Sequence, residues 1–190
     1  MKLIPSFGLN SPARMTAVGF LLLIFVGTLL LMLPVSAVGD TWTPFMPALF
    51  TATSAVTLTG LIVEDTGTYW TGFGQGVIIV LIQLGGLGIM SLAALSGLVV
   101  TGKVSLKARR TGAAEGRPMS GAGLRRTLIF TVLFTLAAEV LIALVLGLRF
   151  AWGYNHSSGR AAWEGIFHAI SAFNNAGFST ESDNLSLIHI

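Results

Sequence analysis

Long charge-free runs alternate with short polar breaks along this chain. Met15 to Gly39 holds no charged residue over 25 positions, Tyr69 to Gly102 none over 34, and Thr127 to Leu148 only Glu139. A helix needs about 20 mostly apolar residues to cross a bilayer, so these runs predict three spanning helices. The second run exceeds one perpendicular span and calls for tilt, a kink or an extension past the membrane. Pro34 is placed to stop the first helix, and Asp40 and Trp42 mark an interface beyond it. Two further stretches, Thr43–Ala55 and Ala161–Ala172, are apolar but too short to span. Thr43 is placed to cap the first and Pro44 suits its first turn. Glu164 is placed in the first turn of the second, where negative charge suits the helix dipole.

Each short stretch ends in a glycine-bearing loop, and the two endings echo each other. Phe50 to Leu61 reads FTATSAVTLTGL and Phe167 to Phe178 reads FHAISAFNNAGF, with five identities in twelve positions at an offset of 117 residues. One structural unit used twice is the simplest source of such a repeat. The pattern predicts a half helix that enters the membrane, then exposed backbone; the alternative for the first copy is a short helix lying on the surface. Non-helical backbone at membrane depth is tolerated where it is packed in protein or lines a wet cavity. Rings of carbonyls there can replace the water shell of a cation.

Composition agrees with the pattern. The chain is 53% hydrophobic and only 10% charged, against about 25% charged in an average soluble domain. Seven of the eleven Lys and Arg residues fall in Lys103 to Arg126. The net charge of +3 is therefore a topology signal, not a nucleic-acid footprint. Positive loops stay in the cytoplasm, and Lys2 and Arg14 join them if the N-terminus is inside. The chain has no cysteine, so disulfides and thiol chemistry are excluded. No HExxH, GxSxG or paired-carboxylate arrangement is present, which argues against an enzyme. No cofactor is expected beyond a transported ion.

Three features within the runs each carry two readings. Gly85, Gly86 and Gly88 serve either close helix packing or a hinge. Glu139 is either a functional ionisable group in a span or a carboxyl packed against a neighbouring helix. His168, at the repeat position of Thr51, reads as a packing or hydrogen-bonding residue, since no second ligand accompanies it at metal spacing.

TATSAVTLTGL, DTGTYWTGFGQ, LIQLGGLGIMS and HAISAFNNAGFS together resemble the membrane subunit of the bacterial Trk/Ktr potassium uptake family, from about Met15 to Ser179. The resemblance implies an all-α membrane protein of potassium-channel-type repeats, each made of a helix, a re-entrant half helix with a filter loop, and a second helix. Residues 1–14 would be a cytoplasmic leader and 15–102 the first repeat, with half helix 43–55, filter 57–61 and inner helix 70–102. Residues 103–126 would form a basic cytoplasmic loop, 127–180 an incomplete second repeat with outer helix 127–148, half helix 161–172 and filter 174–178, and 181–190 a tail. Gly60 and Gly177 would be the filter glycines. Backbone carbonyls of Thr57, Leu58, Thr59 and Gly60, and of Asn174, Asn175, Ala176 and Gly177, would face K+. The family implies a homodimer with a cytoplasmic nucleotide-binding regulatory subunit, in the bacterial inner membrane. Family members carry four repeats, and this chain holds one and most of a second. The alternative expectation is thus a truncated, transport-silent fragment of such a subunit.

Overall fold

In a computed structural model, which describes residues 12–90, 121–153 and 157–181, the chain is all-helical, with one isolated bridge between Ala37 and Trp70. Among the described residues five α-helices follow in order: α1 (Pro12–Leu31), α2 (Phe45–Thr57), α3 (Gly72–Met90), α4 (Gly121–Gly153) and α5 (Ser158–Phe173). Residues 1–11, most of the expected basic loop, the far part of the second apolar run and the tail from 182 lie outside the described residues.

Within the described residues α1 runs from Pro12, so Arg14 sits on the helix. The helix stops at Leu31, earlier than the apolar run, because Leu33 precedes Pro34 and takes extended geometry at φ −62° and ψ 143°. A single 3-10 turn, Pro34–Ser36, follows. Ser36 Oγ donates to the Leu30 carbonyl at 2.6 Å and so satisfies one of the open carbonyls at the helix end. The chain then runs antiparallel to the segment entering α3. Val38 N–H donates to the Tyr69 carbonyl at 2.9 Å and Thr71 N–H to the Ser36 carbonyl at 3.0 Å.

Two expected caps differ. Thr43 does not cap α2: Pro44 is the N-cap residue and Thr43 Oγ1 is buried with no hydrogen-bond partner. Glu164 is not in the first turn of α5, because the helix starts three residues before Ala161. Instead Glu164 is buried and accepts a hydrogen bond from Arg160 Nε one turn back, at 2.6 Å. Within the described residues α4 runs from Gly121, so Arg125 and Arg126 sit on a helix.

At 1.5 Å per residue, 13-residue α2 and 16-residue α5 extend roughly 20 and 24 Å, short of a hydrocarbon core of about 30 Å. The outer faces of α1 and α4 are apolar and open, with Leu21, Phe25, Phe130, Leu141 and Leu144 among the exposed side chains. A face of that kind suits lipid. The buried core lies where α2 and the second loop meet α3: Ala48, Ala52, Ala55, Val56, Ile78, Ile82, Phe167, Ala176 and Phe178.

Small residues let these helices approach. A β-carbon on Gly85 would strike the Val56 carbonyl oxygen at the end of α2, one on Gly86 the Asn174 side chain, and one on Gly88 the Phe20 ring. The glycine run of α3 is therefore a packing surface toward three different elements, as close helix packing in membranes requires.

Candidate functional site

The two loops that follow α2 and α5 are built the same way. Leu58 and Asn175, at equivalent repeat positions, both take left-handed backbone, with φ 58° and 55°. Gly60 and Gly177, also equivalent, have φ 72° and 76°. Thr59 N–H returns to the Ser54 carbonyl at 3.0 Å, and Ala176 N–H to the Ser171 carbonyl at 2.8 Å. Leu58 N–H reaches the Ala55 carbonyl at 3.4 Å, and Asn175 N–H the Ala172 carbonyl at 3.0 Å. This pair of returns is the Schellman ending of a helix, in which a left-handed residue turns the chain back over the last turn. Glycine adopts such angles freely and asparagine tolerates them, whereas leucine at Leu58 costs on the order of 1–2 kcal/mol. Local strain of this kind persists where the surroundings over-determine it and clusters at functional loops.

The loops touch at their glycines. A β-carbon on Gly60 would lie 2.6 Å from the Ala176 carbonyl oxygen and 3.1 Å from Gly177 Cα. Both loops also follow the C-terminal ends of their helices, where the macrodipole carries roughly half a negative charge. The contact therefore brings the Ala176 carbonyl and two negative helix ends into one region, an environment that disfavours negative charge.

The sequence-predicted residues do not all sit alike. Thr57 is the last residue of α2, and its hydroxyl donates back to the Thr53 carbonyl at 2.8 Å. Thr57, Thr59, Asn175 and Gly177 are exposed, Leu58 and Gly60 half-buried, Asn174 and Ala176 buried. Asn174 enters by its side chain as well as its backbone. Its amide nitrogen has Glu139 Oε1 at 3.1 Å, Gln83 Oε1 at 3.3 Å and the Ile170 carbonyl at 3.0 Å. Glu139 is thus a buried, hydrogen-bonded group on α4 facing the base of the second loop.

Further hydrogen bonds support the second loop, and His168 takes the hydrogen-bonding role expected of it. Ser171 Oγ donates to the Phe178 carbonyl at 2.7 Å, just past the second glycine. His168 Nδ1 donates to the Glu164 carbonyl at 2.8 Å, since a carbonyl can only accept, and Nε2 pairs with the Ser179 hydroxyl at 3.1 Å. Ser179 Oγ in turn accepts from Glu181 N–H at 3.1 Å. Trp163 Nε1 donates to Gln75 Oε1 at 2.7 Å, while Gln75 Nε2 donates to the Thr66 and Trp70 carbonyls. In the sequence these ties show as His168 in the second short stretch and as Gln75, Gln83 and Glu139, polar side chains inside otherwise apolar runs.

Fold and site together define an all-helical membrane protein with a duplicated helix-and-loop unit whose two loops meet at their glycines. Residues 7–187 match the TrkH family of cation transport proteins, and the chain belongs to that family. It is 47% identical over 179 residues to the Ktr system potassium uptake protein B of Bacillus subtilis (strain 168), covering 92% of this chain and 38% of the relative. The potassium/sodium uptake protein NtpJ of Enterococcus hirae is 36% identical over 175 residues, again 92% of this chain and 38% of the relative. The Ktr system potassium uptake protein B of Vibrio alginolyticus is 36% identical over 172 residues, 90% and 37% respectively. The chain therefore spans a little over a third of these relatives' length. The relatives are named as uptake proteins, and the family to which this chain belongs is one of cation transport proteins.

Proposed function

We propose that this chain contributes to a path for potassium ions across the bacterial plasma membrane, with α2 and α5 as re-entrant half helices and the two loops as parts of one filter. The meeting of Gly60 and Gly177 at matched positive φ carries this reading. It brings two equivalent stretches of backbone together at the negative ends of two helices. In the proposal the carbonyls of Thr57, Leu58, Thr59 and Gly60 and of Asn174, Asn175, Ala176 and Gly177 take the place of water around K+. Thr57 serves through the carbonyl at the end of α2. Residues 15–102 and 127–180 then correspond to successive repeats, with the N-terminus and the 103–126 stretch in the cytoplasm. The Ktr relatives are named as components of a system, which supports a regulatory partner; in the proposal the partners are a second copy of the chain and a nucleotide-binding cytoplasmic subunit.

The test is Gly60→Ser in cells or vesicles, reading K+ and Na+ uptake side by side. A serine β-carbon would meet the Ala176 carbonyl and add a hydroxyl beside the path. The expected result is a lower K+ over Na+ preference. An unchanged ratio in protein that reaches the membrane overturns the reading.

A further inference from the structure

We propose that Glu139 is a positioning residue for the second loop: its carboxylate holds the Asn174 side chain from α4, and so sets where the loop backbone begins. The inference rests on reading the loops as an ion filter.

Asn174 is the cap residue of α5 and immediately precedes left-handed Asn175. Moving it moves the start of the loop. Its side chain is held between three helices. Glu139 Oε1 on α4 and Gln83 Oε1 on α3 accept from Nδ2, as does the Ile170 carbonyl within α5. Two amide hydrogens serve three oxygens, so the anchor is rich in acceptors. On the opposite side Asn174 Oδ1 is pressed against Gly86, where any β-carbon would strike it. The amide is clamped between a carboxylate and a helix surface bare of side chain.

Packing by itself does not call for this carboxylate. Helix α1, the counterpart that packs on α2, contains no acidic residue. The first loop is set without one: Thr57, at the repeat position of Asn174, donates to the Thr53 carbonyl and pairs with the Thr59 hydroxyl at 3.4 Å, and no acidic side chain is among these partners. A carboxylate buried in a span is expensive and persists where it is hydrogen-bonded to something that uses it. Here its partners are Asn174, the first residue of the second loop, and the Gln83 side chain that meets the same amide.

The test compares Glu139→Gln and Glu139→Leu by K+ and Na+ uptake in membrane vesicles, normalised to protein in the membrane, with Gly177→Ser alongside. Glutamine keeps an oxygen acceptor for Asn174 and is expected to keep the ion ratio. Leucine removes the acceptor and is expected to lower K+ over Na+ preference roughly tenfold, the scale of one lost charge-assisted hydrogen bond. An unchanged ratio in Glu139→Leu overturns the proposal, as does an equal fall in both variants, which would make charge and not hydrogen bonding the cause. If Glu139→Leu does not reach the membrane, Gly86→Ala displaces the same amide from its other side, and a ratio unaltered there overturns the proposal too. Gly177→Ser separates the two levels. If it lowers the ratio while Glu139→Leu does not, only the role of Glu139 fails; if it also leaves the ratio unaltered, the filter reading fails.

Discussion

Gly60 and Gly177 lie against each other at φ 72° and 76°, 117 residues apart in the chain and equivalent in the repeat. Their contact is not symmetric. A β-carbon on Gly60 would fall 2.6 Å from a carbonyl oxygen, whereas one on Gly177 would fall 3.3 Å from Gly60 Cα. Alanine at either position suffers the left-handed penalty of about 1–2 kcal/mol. Gly60→Ala adds a collision with backbone and should lose more stability than Gly177→Ala. Thermal unfolding of the purified protein in detergent checks the order; equal losses would show that the loops are farther apart than described.

The glycines of the helix surfaces should also rank by what they touch. Gly85 faces the Val56 carbonyl, which belongs to the backbone of α2 and has little freedom to move. Gly85→Ala should therefore destabilise by about 1–3 kcal/mol, the range for overpacking. Gly27 faces only the flexible end of the Leu81 side chain. Gly27→Ala should be close to neutral, since Leu81 can turn and alanine favours the helix by up to roughly 1 kcal/mol. Denaturant unfolding of both variants decides, and a Gly27→Ala loss as large as that of Gly85→Ala would contradict the packing.

His168 ties the chain after the second loop to α5 through Ser179. His168→Ala removes that tie and leaves the Ser179 hydroxyl without its ring partner. Hydrogen exchange at the amides of Ala176 to Glu181 should speed up, with α2 unaffected. Unaltered protection of that segment would mean that the Ser171 to Phe178 hydrogen bond alone holds it.

Orientation follows from charge and can be read directly, because the chain has no cysteine of its own. A cysteine at Asp65 should react with a membrane-impermeant reagent added outside intact cells, and one at Arg126 should react only after the membrane is opened. The opposite pattern would reverse the proposed topology.

Much of this architecture is legible in the sequence because it depends on local chemistry. Charge-free runs mark helices, Pro34 limits α1, and the spacing of Gly60 and Gly177 marks loops that need positive φ. The five identities between the two short stretches foreshadow loops with the same hydrogen bonds. Ser54 and Ser171, identical in sequence, supply the carbonyls that close both turns.

What only the tertiary structure decided is which distant groups meet. Asn174 finds Glu139 at a separation of 35 residues and Gln83 at 91, and Trp163 finds Gln75 at 88. No periodicity encodes such pairs, because they depend on how α3, α4 and α5 are rotated against one another. The same holds for failed local expectations: Thr43 does not cap because Pro44 takes the N-cap position, and Glu164 is drawn beyond the first turn because α5 starts earlier. The sequence by itself determined where helices and glycine loops fall, since these follow from burial and backbone sterics within a few residues. That the two loops share one site, with a buried carboxylate behind the second, was decided by packing over the whole chain.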